Sequence, residues 1–235
     1  MHEKPYVLLE LPADFKARMH LLGSIDTTVQ PRHEKGPVDR KDQAEIYTIV
    51  NALKLGLGLP IPLPACVIHS DRPDVVIKSA TTSIGIEIVE AVSETTAAMD
   101  CERAKLPNAP GLHWARKQLP GEKQKTAREV RELVFTNDPG DGFIGNGAAE
   151  WAEAIAYFVR RKIETVSKPG FKRFDQNWLL VYDNWREPAR DLIEASATLQ
   201  SLLNDMKAFC TFELVLVLDD KRLYVFEAEQ IECQR

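Results

Sequence analysis

The run from Arg72 to Ala91, RPDVVIKSATTSIGIEIVEA, places two β-rich segments either side of a short polar turn, and it constrains the fold more than any other stretch. If Ser79 to Thr82 make the turn, Val76 falls opposite Gly85, Lys78 opposite Ser83, and Asp74 opposite Glu87. Opposed residues share a face of the sheet, so Val75, Ile77, Ile84, Ile86 and Ile88 form one apolar side and the two acids meet on the other. Facing carboxylates repel by about 0.2–1 kcal/mol even at an exposed pair. A divalent cation would relieve that repulsion; such oxygen donors suit Mg2+ or Mn2+, with the Ile88 carbonyl as a further donor. Gly85, small and beside the acids, predicts room for a ligand. In the competing reading Asp74 caps a turn after Arg72-Pro73 and Glu87 faces solvent on an edge strand.

The surrounding pattern predicts an α/β (α+β) fold with a mixed sheet flanked by helices. Residues 1–38 read as an arm with a short strand at 6–9. Ile46, Ile49, Val50, Leu53 and Leu57 lie on one helical stripe, predicting a helix over about 40–56 that ends at Gly56, Gly58 and Pro60. Strands follow at 65–70, 74–79 and 83–92 as a three-stranded meander. Residues 92–146 read as an insertion with a helical stretch around 123–134. A helix at 147–166, a buried strand at 177–183, a helix at 187–208 and a terminal hairpin of 212–218 and 222–228 complete the chain. Residues 39–235 thus read as one domain carrying the insertion.

Pro73-Asp74, twelve residues, then Glu87-Ile88-Val89, preceded by a helix bearing Glu45, resemble the PD-(D/E)XK nuclease superfamily, the restriction-endonuclease-like fold. The resemblance covers residues 40–92 and, with the insertion set aside, 147–183. It implies a metal-dependent phosphodiesterase acting on DNA or RNA, with Asp74 and Glu87 as ligands of Mg2+ or Mn2+ and Glu45 as an assisting acid. A metal ion would polarise the scissile phosphate and activate a water. The family's lysine position holds Val89 here, and Val89 can neither orient a water nor stabilise charge. Lys78 lies roughly 13 Å along the strand from Asp74, Lys41 sits one helical turn before Glu45, and Lys162 is near the end of a later helix; the sequence assigns the role to none of them. The alternative is a catalytically inactive module of the same fold that binds nucleic acid or a protein partner.

Glu45 carries a second reading, because Asp42-x-x-Glu45 is a capping-box pattern. A helix beginning at Asp39 would instead leave Glu45 free to face the sheet. His69, ending a strand two residues before Asp71, is either structural or a ligand near the metal.

The 235 residues carry 30 basic and 35 acidic side chains, a net charge of −5, so any anionic partner must meet a local patch. Residues 102–131 supply one, with eight basic residues against three acidic and with His113-Trp114 among them. This stretch is either a grip for nucleic acid or a solvated charged excursion. Self-association as a homodimer is compatible with the pattern. Gly140, Gly142 and Gly145 have GxGxxG spacing, but no strand feeds into them, which favours a plain loop. No apolar run spans a bilayer and the first residues lack the core of a secretory signal, so a cytoplasmic protein without a membrane partner is expected. The four scattered cysteines read as reduced, buried thiols.

Overall fold

The computed structural model describes residues 5–30, 32, 39–106, 119–136, 146–185 and 191–228. Seven strands form one mixed sheet in sequential order: β1 (Tyr6–Leu11), β2 (Ala65–His69), β3 (Val75–Ser79), β4 (Ser83–Ala91), β5 (Gln176–Asp183), β6 (Leu214–Leu218) and β7 (Leu223–Phe226). β4, β5 and β6 run parallel, and every other neighbouring pair is antiparallel. The chain is therefore an α+β protein with a mixed sheet flanked by helices.

The strand pattern explains the layers. In β5, Trp178 and Leu180 enter one core and Leu179 and Val181 the other, so the middle of the strand is apolar on both faces. The first core lies beneath α1 (Phe15–Ser24) and α2 (Arg40–Leu55) and contains Leu22, Ile49, Leu53, Ile77 and Ile86. The second lies beneath α5 (Gly147–Val166) and α6 (Leu192–Asp205) and contains Trp151, Ile155, Val159, Leu199 and Val217. Burying each such side chain contributes about 1.5–3 kcal/mol.

The hairpin has the register expected from its turn: Val76 pairs with Gly85, Ile77 with Ile84 and Lys78 with Ser83. The Ser79 N–H closes that turn on the Thr82 carbonyl at 2.9 Å. Asp39 caps α2 by accepting from the Lys41 N–H at 2.8 Å, which puts Glu45 inside the helix. Leu57 lies beyond the helix and is exposed, outside the stripe assigned to it.

Several boundaries differ from the sequence reading. Residues 6–24, read as part of an arm, form β1 at the sheet edge and α1, which buries only Leu22 and so shows little apolar period. The expected insertion holds α3 (Glu94–Lys105), which carries no strong apolar stripe, and α4 (Ala127–Thr136); Met99, Val130 and Val134 pack between them. α6 starts later than expected because Asp191 caps it, accepting from Ile193 and Glu194, and residues 186–190 lie outside the described segments. Cys66 and Cys101 are free and half-buried, whereas Cys210 is disulfide-bonded, against the expectation of reduced thiols. Among the described residues no helix is long and apolar enough to cross a membrane.

Candidate functional site

The acids converge where β3 stops and β4 continues. Beyond Ile86, β4 has lost its β3 partner, and the Asp74 carboxylate takes over by accepting the Ile88 N–H at 2.7 Å. Asp74 is thus a cap for the bare stretch of β4, not for the Arg72-Pro73 turn. Glu87 is buried on a central strand between β3 and β5, so the reading with Glu87 in solvent at an edge does not hold.

Glu45 reaches the same point from α2. It occupies an inward position of the helix, one turn before Ile49, and is only 5% exposed. His69, the last residue of β2, meets Glu45 Oε2 through Nε2 at 2.9 Å and lies under the Tyr6 ring, with centroids 5.2 Å apart. Asp42 is 3.9 Å from the same nitrogen. One donor atom each from Asp42, Glu45 and His69 lies within 4.8 Å of the others, a set able to hold a metal ion.

Two lysines bind the cluster together. Lys162 donates to Glu87 Oε2 and stands 3.5 Å from Asp74 Oδ2. Lys41 contacts Glu45 Oε1 at 3.0 Å and Asp74 Oδ1 at 3.6 Å. Asp74 therefore turns one oxygen toward the α2 side and the other toward α5. Lys78 is exposed at the far end of β3, opposite Ser83 and Cys66, and takes no part. Val89 is half-buried and packs against the core beneath α5.

The electrostatics follow from this crowding. Burial pushes the Asp74 carboxyl up to about 6, and Glu45 and Glu87 add to the shift; Lys162 and the Ile88 N–H oppose it. The hydrogen bond that His69 donates to the Glu45 carboxylate raises the His69 pKa, although burial works against the charged ring. Burial alone would lower Lys41, but its bond to Glu45 and the charges of Glu45 and Asp74 outweigh that, so the net shift is upward.

Two expectations about the surroundings change. Gly85 does not leave room for a ligand, because a Cβ there would lie 2.6 Å from the Phe174 ring, which fills the space. In the basic stretch, Arg131 binds Glu102, Lys105 lies 3.8 Å from Glu102, and Lys125 lies 3.2 Å from Glu122, so much of its described charge is spent internally. Lys123 and Arg128 are exposed there. His113, Trp114, Arg116, Lys117 and the glycines at 140, 142 and 145 lie outside the described residues.

The lysine that reaches the acids was visible as an anomaly: Lys162 falls on the stripe of Ile155, Val159 and Val166, a charge in an apolar period. No family model, no curated protein and no solved structure matches this chain.

Proposed function

We propose that the protein is a metal-dependent phosphodiesterase of nuclease type that cleaves DNA or RNA, related to the PD-(D/E)XK superfamily. The observation that carries this reading is the contact of Lys162 with both Glu87 and Asp74, which brings a cation to the paired acids although Val89 occupies the family's lysine position. The donor chemistry suits a hard divalent ion: Asp74 and Glu87 both contact the Lys162 ammonium, and Glu45 is joined to Asp74 through Lys41. Asp74 and Glu87 would hold Mg2+ or Mn2+, with Glu45 assisting. The ion would supply Lewis-acid polarisation of the phosphate and a water of lowered pKa.

The chain's own groups do the rest. The Ile88 N–H fixes the orientation of Asp74, and His69 fixes that of Glu45. With a metal ion on the acids, Lys162 would be released to orient the attacking water and to steady charge developing on the phosphoryl oxygens. Lys123 and Arg128, exposed in the basic stretch, would add positive charge to attract a nucleic-acid backbone.

A second reading, a catalytically inactive module that binds nucleic acid or a protein, is favoured by one observation: Lys41 and Lys162 already offset two of the three acidic charges. Purified protein incubated with labelled DNA and RNA in Mg2+ or Mn2+, beside Asp74→Ala and Glu87→Ala, separates the two. Cleavage by the wild type alone supports the enzyme; equal residual cleavage in all three supports the inactive module.

A further inference from the structure

A cavity of about 720 Å3 opens directly beside the acid cluster, within the size range of small-molecule sites. Lys41 and Glu45 belong to both, so a ligand in the cavity abuts the residues that surround Asp74. Its lining combines three kinds of surface. Arg32 and Arg40 supply two guanidiniums. Among the described residues the other carboxylate in the lining besides Glu45 is Glu90, which accepts from Arg32 and from Asn184 Nδ2. Among the described residues Lys41 is engaged with Glu45 and Arg32 with Glu90, which leaves Arg40 as surplus positive charge, its Nε donating to the Gln30 carbonyl at 3.2 Å. The remaining wall is apolar and aromatic: Val29 and Ile88 with Tyr47 and Tyr182, whose rings meet edge to face at 5.5 Å.

We infer that this cavity receives one unstacked nucleotide of the strand, its phosphate on Arg40 and Arg32 and its base against the apolar and tyrosine wall. Guanidiniums suit a phosphate by their forked geometry, and an aromatic ring accepts the face of any base. The Glu90–Asn184 pair presents a carboxylate and an amide to the base edge. Held there, the nucleotide would bring its adjoining phosphodiester to the Asp74 corner. The inference rests on the nuclease reading for its substrate, but the cavity can be tested without catalysis.

Calorimetry in EDTA, with each of the eight common nucleoside 5′-monophosphates, inorganic phosphate and adenosine as probes, tests it. At least one mononucleotide should bind tenfold or more tightly than either phosphate or adenosine. Arg40→Gln should weaken that binding at least tenfold. Ala44→Leu, which fills the cavity without removing a polar contact, should weaken it likewise if Arg40→Gln fails to fold. Mononucleotides no tighter than phosphate, or unaffected by whichever variants fold, would overturn the inference. A short single-stranded oligonucleotide should compete with the bound mononucleotide; simultaneous binding would assign the cavity to a free nucleotide and also overturn it. Asp74→Asn separates the two readings, since it should abolish cleavage while leaving mononucleotide affinity within about twofold. Cleavage that needs Asp74 with no mononucleotide binding defeats this inference alone; mononucleotide binding without any wild-type cleavage defeats the nuclease reading alone.

Discussion

Lys162 and Glu87 form a side-chain ion pair between α5 and β4, although 75 residues separate them in the chain. The Lys162 side chain is 19% exposed and that of Glu87 10%, so the pair is not fully sealed from solvent. Lys162 therefore retains access to water and can move aside for a cation.

Removing that ammonium should expose its structural and catalytic shares separately. Lys162→Met leaves Glu87 and Asp74 buried beside each other, and unfolding in urea should show a loss on the order of 2 kcal/mol, below the ~3–5 kcal/mol of a fully buried broken pair. Mn2+ should restore much of that stability. Cleavage should fall about 100- to 1,000-fold even at saturating metal. A variant as active as the wild type would remove Lys162 from the reaction.

Metal affinity should depend on both strand acids. Calorimetric titration with Mn2+ is expected to show one tight event that Asp74→Ala and Glu87→Ala each weaken by about 10- to 100-fold. His69→Ala should weaken it less if the ion sits at Asp74 and Glu87. A larger effect from His69→Ala would move the ion to the Asp42, Glu45 and His69 group.

The pH dependence has an unusual sign. Unfolded, Asp74 titrates near ~3.9; folded, it is held at about 6. Between those values the metal-free folded chain keeps a proton that the unfolded chain has released, so stability falls as pH rises through this window. His69, whose pKa is raised, adds stability below its unfolded value and loses it as pH climbs through the folded one. Thermal melts in EDTA should thus decline from pH 4 to 6, and Asp74→Asn should flatten that slope. Mn2+ needs the carboxylate, so its affinity should drop about tenfold per pH unit below 6.

Gly85 offers a test of packing that changes no charge. Gly85→Ala drives a methyl into the Phe174 ring and should cost about 1–3 kcal/mol by equilibrium unfolding. Phe174→Leu should recover part of that loss, because a smaller, flexible side chain can yield. An additive double mutant would show that the two positions do not compete for the same space.

The hairpin and its acids were legible in the sequence because strand alternation is a local rule. Once Ser79–Thr82 closed the turn, Val76 had to meet Gly85, and the face of every neighbour followed. The helix over Arg40–Leu55 was legible for the same reason, through its apolar period and the glycine and proline beyond it. The role of Glu45 hung on a single cap: with Asp39 as the cap, Glu45 belongs to the body of the helix and points to the sheet.

Alternation says which face a side chain takes, and it is silent about what lies across from that face. Gly85 was placed beside the acids correctly, yet only the packed protein puts Phe174 over it. Three lysines stood as candidates in the chain; the docking of α5 on the sheet brought in Lys162, the fold of α2 brought in Lys41, and the length of β3 kept Lys78 out. Local periodicity in the sequence determined the hairpin register and the helical faces. Tertiary packing decided which charges meet at Asp74, because those contacts join segments whose separation no short-range pattern encodes.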